Sequence, residues 1–132
     1  MAVPEGDQVI YPANRLLESQ LFPLAVTTQD WHPPNHQSFA VNHPGRAGGD
    51  IVDLYAVNQI LWPVHCVQGT PGARLVAELR EDLIEQSFRK GVDEKIDSHS
   101  IFFDNGRRRS TGLYGYLHRH RVHSIYLLGQ AT

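Results

Sequence analysis

The sequence contains a single cysteine, Cys66, and no apolar run that approaches the roughly 20 residues of a membrane-spanning helix. A lone cysteine excludes an internal disulfide framework and is typical of proteins in reducing compartments. The first residues have neither the basic region nor the apolar region of a secretory signal. Together these absences predict a cytoplasmic protein that has no membrane partner.

Basic residues are not in excess, because 12 Lys and Arg side chains stand against 14 Asp and Glu, for a formal net charge of −2. General nucleic-acid binders need a basic excess, since they displace counterions from the phosphates. We therefore expect no nucleic-acid partner. Histidine is abundant instead, with 8 copies among 132 residues, and this directs the search for function to a metal site.

The order of the predicted elements is typical of an α/β fold, and the length corresponds to about one domain. Apolar residues at helical spacing predict helices at 8–20, 73–86 and 111–120, and short apolar runs predict strands at 24–28, 87–90 and 124–129. This alternation predicts a parallel sheet. Ligands bind beyond the carboxyl ends of such strands, where the Pro- and Gly-rich loop at 31–49 follows strand 24–28.

Three metal-ligand candidates lie in that loop or at its start. Asp30 and His32 are two residues apart, so in an extended chain both side chains point the same way. Two prolines then force a turn that could return His36 to the same place. His65, in a second Pro-rich segment, is the candidate for a fourth ligand. Imidazole and carboxylate ligands suit zinc, iron(II) or manganese. The alternative is that these histidines are exposed loop residues that bind no metal.

The sequence around these residues resembles the nicotinamidase family. Residues 30–40, DWHPPNHQSFA, and residues 61–70, LWPVHCVQGT, are similar to two of its motifs. Three further segments resemble motifs of the family. They are Lys90-Gly91 with residues 97–102 (DSHSIF), residues 129–132 (GQAT) and residues 2–7 (AVPEGD). The motifs occur in the family's order across nearly the whole chain.

The resemblance implies an isochorismatase-like hydrolase fold, a three-layer α/β sandwich with a doubly wound, Rossmann-like parallel sheet. Residues 1–132 would form a single, partial domain of it. The implied reaction is the hydrolysis of nicotinamide to nicotinate and ammonia in NAD salvage, with one divalent metal ion, zinc before iron or manganese, holding the pyridine ring. The corresponding residues here are Asp30, His32, His36 and His65 for the metal, Lys90 for catalysis, and Trp62, His99 and Ala131 for the substrate and the oxyanion.

In the family, a catalytic aspartate precedes the motif that residues 2–7 resemble, and a nucleophilic cysteine follows the motif that residues 129–132 resemble. The resemblance therefore predicts that the 132-residue chain alone is inactive. Cys66 matches a structural cysteine of the family, and we interpret it as a buried residue, since free cysteine usually acts as a small apolar group. His99 stands where the family has tyrosine, which would alter the substrate site.

Two other interpretations stay open at this stage. A catalytically dead, truncated metal-binding fragment or paralogue would keep the same motifs without turnover. A metal-free relative such as an isochorismatase is disfavoured, because that branch lacks the four metal ligands that the resemblance implies. The sequence leaves a homo-oligomer open as well.

Overall fold

The computed structural model describes residues 3–130 and contains two of the three predicted helices. Helix α1 (Ile10–Glu18) follows a 3₁₀ turn at Gly6–Val9, which confirms the helix predicted at 8–20. Helix α2 (Leu113–Arg119) confirms the one predicted at 111–120 and begins after Gly112, whose φ of 87° suits glycine. Within residues 3–130, neither helix has the length and apolar character needed to cross a bilayer.

Strands β1 (Val26–Asp30) and β4 (Gln86–Lys90) form a parallel pair, as the sequence predicts. β4 confirms the strand at 87–90, whereas β1 lies two residues later than the predicted 24–28. Asp30 is consequently the last residue of its strand rather than the start of a loop. The register pairs Asp30 with Lys90, so both side chains lie at the carboxyl ends of the two strands.

Strands β2 (Ile51–Leu54) and β3 (Val57–Ile60) form an antiparallel hairpin that the sequence analysis does not predict. Its two turn residues, Tyr55 and Ala56, have φ values of 54° and 67°. Tight hairpin turns of this kind favour Asn-Gly or Asp-Gly, because both central residues need positive φ. Tyr-Ala lacks that signal, which is why the hairpin is not recognisable in the sequence.

The helix predicted at residues 73–86 is wrong. The segment contains 3₁₀ turns at Pro71–Ala73 and Glu81–Leu83 and then enters β4. The side chain of Asn14 on α1 forms two hydrogen bonds to the backbone of this segment. Its Nδ2 donates to the Glu78 carbonyl at 2.8 Å, and its Oδ1 accepts the Arg80 N–H at 2.9 Å. Hydrogen bonds to another element therefore override the helical spacing of the apolar residues.

The strand predicted at residues 124–129 is also wrong. This segment has no regular secondary structure, and Tyr126 and Leu127 are 77% and 80% exposed. A strand is stabilised by hydrogen bonds to a neighbouring strand and by burial of at least one face. Within residues 3–130 no strand pairs with this segment, so its apolar composition does not produce a strand.

The buried interior is unusually polar. Phe39, Leu61 and Leu113 are the largest fully buried apolar side chains, and Ile96 and Ala73 are also in the core. At least as many polar residues are buried with them: His32, His36, Ser38, Gln59, Asp97, Ser98 and Asp104. Buried polar groups need hydrogen-bond partners or ions, so the interior identifies the part of the molecule in which to look for a site.

Replacement of Asn14 by alanine tests whether α1 holds the non-helical segment. The loss of two side-chain hydrogen bonds should lower the free energy of unfolding by about 1–2 kcal/mol, measured by urea denaturation. Arg15→Ala, one residue further on the exposed side of α1, is the matched control and should have a smaller effect. Equal effects of the two substitutions would contradict the bracketing role.

Candidate metal centre

Two loops lie side by side at the carboxyl end of β1 and are joined by backbone hydrogen bonds. The His32 N–H bonds to the Cys66 carbonyl at 3.0 Å, and the His32 carbonyl accepts the Gln68 N–H at 2.8 Å. Further along, the Trp62 N–H bonds to the Ser38 carbonyl at 2.7 Å, and the Ala40 N–H bonds to the Trp62 carbonyl at 2.9 Å. This pairing brings residues 32–40 and 62–68 together although about 30 positions separate them in the sequence.

Three histidine rings meet at this junction around one buried phenylalanine. Phe39 is fully buried, and its ring centroid lies 5.5 Å from that of His32, 5.6 Å from that of His36 and 5.4 Å from that of His65. The ring of His32 is central, with centroids at 4.4 Å from His36 and 4.9 Å from His65. Packing therefore fixes the positions of all three rings.

All three histidines have Nδ1 within hydrogen-bond distance of an oxygen atom. Nδ1 of His32 lies 2.9 Å from the Gly91 carbonyl oxygen, Nδ1 of His36 lies 2.6 Å from Ser38 Oγ, and Nδ1 of His65 lies 2.8 Å from the Pro63 carbonyl oxygen. The two carbonyl oxygens can only accept, so they select the Nδ1–H tautomer of His32 and His65 and leave the lone pair on Nε2. Histidine ligands of metal ions are oriented in this way. His36 differs, because its Nδ1 accepts the Ser38 N–H at 3.2 Å, which places the ring proton on Nε2.

A carboxylate and an ammonium group border the cluster. Asp30 Oδ1 lies 3.8 Å from Nε2 of His32 and 2.5 Å from Nζ of Lys90. Lys90 also donates to the carbonyl of Ser98 at 2.8 Å. Asp30 and Lys90 are both mostly buried, with side chains 17% and 18% exposed, so their attraction is screened less than that of a surface pair.

The potential ligand atoms form two overlapping groups. Asp30, His32 and His65 each offer one atom within 4.8 Å of the others, and His32, His36 and Asp97 do the same. The four ligands implied by the resemblance are thus all at the site, but they do not fall into one group, because His36 faces Asp97. Asp97 is the member that the sequence analysis does not assign, although it lies in the motif at 97–102.

Burial keeps the rings of His32 and His36 uncharged at neutral pH. Burial lowers the pKa of His32 against the opposing influence of Asp97. The pKa of His36 falls to about 4, first because of burial and then because of the neighbouring His32 ring. Neutral imidazole is the form that binds a metal, so nitrogen and carboxylate donors in this state fit a divalent transition metal such as zinc.

Cys66 lies next to His65 in a left-handed conformation, with φ at 45°. Burial and then the nearby Asp30 raise the pKa of its thiol. A reactive cysteine needs a lowered pKa, which a nearby cation or a helix N-terminus provides. The geometry therefore supports the interpretation of Cys66 as a structural residue, whose carbonyl holds His32.

The remaining predicted residues are placed differently. Trp62 is half-buried and forms the backbone hydrogen bonds to the Ser38–Ala40 stretch. His99 is exposed, and its N–H donates to Asn105 Oδ1 at 2.9 Å. Ala131 lies outside the described residues. The structure thus brings Asp30, Lys90 and the histidines together, while His99 shows its side chain to solvent.

The chain has an α/β fold whose parallel strand pair carries a histidine cluster and Lys90 at its carboxyl end, and its similarity to solved nicotinamidases shows that this is part of the isochorismatase-like hydrolase fold. The chain is 44% identical over 132 residues to the nicotinamidase of Acinetobacter baylyi, covering 100% of this chain and 61% of the relative. The expected resemblance to nicotinamidases is confirmed. No protein-family model matches the sequence.

Two solved structures are similar to this chain in three dimensions. A yeast nicotinamidase bound to the inhibitor nicotinaldehyde superimposes with a TM-score of 0.91 at 30% identity, over 98% of this chain and 66% of the other. A pyrazinamidase of Pyrococcus horikoshii in complex with zinc gives a TM-score of 0.70 at 32% identity, over 98% and 60%. The chain spans about three-fifths of the curated relative's length.

Replacement of His32 by alanine tests the metal centre, because His32 belongs to both ligand groups. We expect stoichiometric binding of zinc to be lost, measured by metal analysis after dialysis and by calorimetric titration. The control is His118→Ala on α2, which removes an exposed histidine far from the cluster in the sequence. Retention of one equivalent of zinc by the His32→Ala protein would show that the centre is assigned wrongly.

Gly91 packs so closely against the ring of His32 that no larger residue fits there. A Cβ atom added there would lie 2.3 Å from Cε1 of His32, and φ at Gly91 is +60°. Gly91→Ala should therefore weaken zinc binding, whereas Gly69→Ala, with φ at +76° and no neighbour within 4 Å of the new atom, should not. Both carry a similar backbone strain of about 1–2 kcal/mol, so equal zinc affinities would argue against the steric effect.

Proposed function

We propose that the protein carrying this chain is a metal-dependent nicotinamidase, which hydrolyses nicotinamide to nicotinate and ammonia. The observation that carries the proposal is the convergence of three oriented histidines and the Asp30–Lys90 pair at the carboxyl ends of parallel strands. The similarity to nicotinamidases along the whole chain supports the same reaction.

Asp30, His32 and His65 would hold the metal ion, and we propose zinc, since a pyrazinamidase of similar structure is in complex with zinc. Iron(II) and manganese accept the same donors. Such an ion would act as a Lewis acid that binds the pyridine nitrogen of the substrate. The chain itself keeps His32 and His65 in the correct tautomer through the carbonyls of Gly91 and Pro63.

Lys90 would supply a fixed positive charge beside the reacting carboxamide. Its contact with Asp30 keeps the ammonium group in place, and the carbonyl of Ser98 orients it from the other side. A fixed cation would stabilise the thiolate of the family's nucleophilic cysteine and lower its pKa. Trp62, which borders the cluster through its backbone bonds to residues 38–40, would contribute to the ring's binding pocket.

Other parts of the assignment stay predictions. A role in NAD salvage, a cytoplasmic location and a homo-oligomer fit the proposed reaction, as does a small-molecule substrate without nucleic-acid or membrane partners. We also propose that residues 1–132 alone are inactive. The support is that the pKa of the chain's one cysteine, Cys66, is raised, because burial and the nearby Asp30 outweigh the opposing influence of Lys90.

The proposal is tested on the whole protein that carries this chain, by ammonia release from nicotinamide, with the metal removed by a chelator and then restored with zinc. Activity should disappear on removal and return with zinc. Lys90→Met should lower kcat by about 10²–10³-fold, the usual effect of losing one charge-stabilising group, with zinc content retained. Lys95→Met, on an exposed residue stacked over Tyr55, is the control. An unaltered kcat in the Lys90→Met protein would contradict the assigned role.

A further inference from the structure

Residues 97–99 contact Lys90 without belonging to a helix or a strand. The Ser98 carbonyl accepts a hydrogen bond from Nζ of Lys90 at 2.8 Å, so this carbonyl and Asp30 together define where the ammonium group lies. In a helix or a strand, a carbonyl is held in place by the regular hydrogen bonds of its element. The direction of the Ser98 carbonyl depends instead on contacts with other parts of the chain.

Asn105 supplies two of these contacts. Its backbone N–H donates to the Asp97 carbonyl at 2.7 Å, and its side-chain Oδ1 accepts the His99 N–H at 2.9 Å. Between these two groups, the Ser98 N–H donates to Oδ1 of Asp97 at 2.7 Å. The main-chain groups from the Asp97 carbonyl to the His99 N–H therefore all have partners, and Asn105 binds two of them.

The side chains of Asn105 and Lys90 bind opposite ends of one peptide group. The Ser98 carbonyl and the His99 N–H belong to the same planar unit, and in a trans peptide they point in opposite directions. Oδ1 of Asn105 therefore fixes this plane from the N–H side, while Nζ of Lys90 binds it from the carbonyl side. Each hydrogen bond also polarises the peptide group and so strengthens the other.

The turn that carries Asn105 is fixed by a buried carboxylate. Asp104 is 4% exposed, and its two oxygens accept the N–H groups of Arg108 at 2.9 Å and Arg109 at 2.7 Å. The side-chain amide of Asn105 is oriented as well, since Oδ1 faces an N–H donor and Nδ2 lies 3.5 Å from Oε1 of Gln59. The acceptor at Oδ1 is thus held in one place.

We propose that Asn105 is a positioning residue, which directs the ammonium group of Lys90 through the peptide that joins Ser98 to His99. This inference rests on the nicotinamidase activity proposed above, because Lys90 has its role in that reaction. Without the acceptor at Oδ1, the peptide plane can rotate and its carbonyl loses its fixed direction. Lys90 then keeps its charge and its contact with Asp30, but it no longer has two partners that define one position.

The inference is tested in the whole protein that carries this chain, by combining substitutions at Asn105 and Lys90. Asn105→Ala should lower kcat about tenfold, as expected on losing a residue that orients a functional group. KM and zinc content should be retained, because neither the ring's binding pocket nor the metal ligands change. In the Lys90→Met protein, Asn105→Ala should lower kcat no further, because its effect acts through the ammonium group.

Asn14→Ala is the matched control, since it also removes an asparagine side chain that forms two hydrogen bonds. It should destabilise the fold and leave kcat unaltered. Asn105→Leu occupies nearly the same volume without an acceptor, and it serves as the second variant if Asn105→Ala does not fold. An unaltered kcat after loss of the acceptor, a further fall of kcat in the Lys90→Met protein, or an equal fall of kcat with Asn14→Ala would each overturn the positioning role.

Nuclear magnetic resonance separates this result from the proposed hydrolysis. The His99 amide should exchange slowly with solvent in the parent protein and faster in the Asn105→Ala protein, and the Nζ signal of Lys90 should broaden with it. If the parent protein releases no ammonia, the proposed function fails, whereas these two changes would still support the positioning of Lys90. Unaltered amide exchange and an unaltered Nζ signal would overturn the inference in an active protein as well.

Discussion

The site depends on the backbone pairing between residues 32–40 and residues 62–68. Four hydrogen bonds, two at His32 and two at Trp62, join these loops. Without this pairing His65 would have no fixed position relative to His32, because about 30 residues of loop and hairpin lie between them. Main-chain hydrogen bonds between the loops therefore set the relative positions of the histidines, and the contacts of the side chains then orient the rings.

Burial gives the centre its chemical character. Phe39 packs against the three rings, and burial deprives His32 and His36 of the hydration that would stabilise their charged forms. Asp30 and Lys90 are mostly buried as well, which strengthens their attraction. Two neutral histidines beside a fixed ion pair are thus a consequence of packing polar groups into a small interior.

Asp97 and His36 are buried polar residues with few partners. Most buried carboxylates and imidazoles in proteins have partners, whereas within residues 3–130 Asp97 has no lysine or arginine partner and Nε2 of His36 has no hydrogen-bond partner. Both residues lie next to His32, which belongs to both groups of potential ligands. The charges of Asp97 and Asp30 therefore act on the same His32 ring.

The sequence by itself determined the class of fold, the loop that carries the histidines, the similarity to nicotinamidases and the four candidate ligands, because these depend on local composition and motif spacing. It did not determine the hairpin with its Tyr55–Ala56 turn, the non-helical segment bracketed by Asn14 or the unpaired segment 124–129. Tertiary structure decided these, since hydrogen bonds to distant residues outweigh local preferences. It also decided that His36 faces Asp97 rather than Asp30, because the direction of a side chain follows from packing against residues far along the chain.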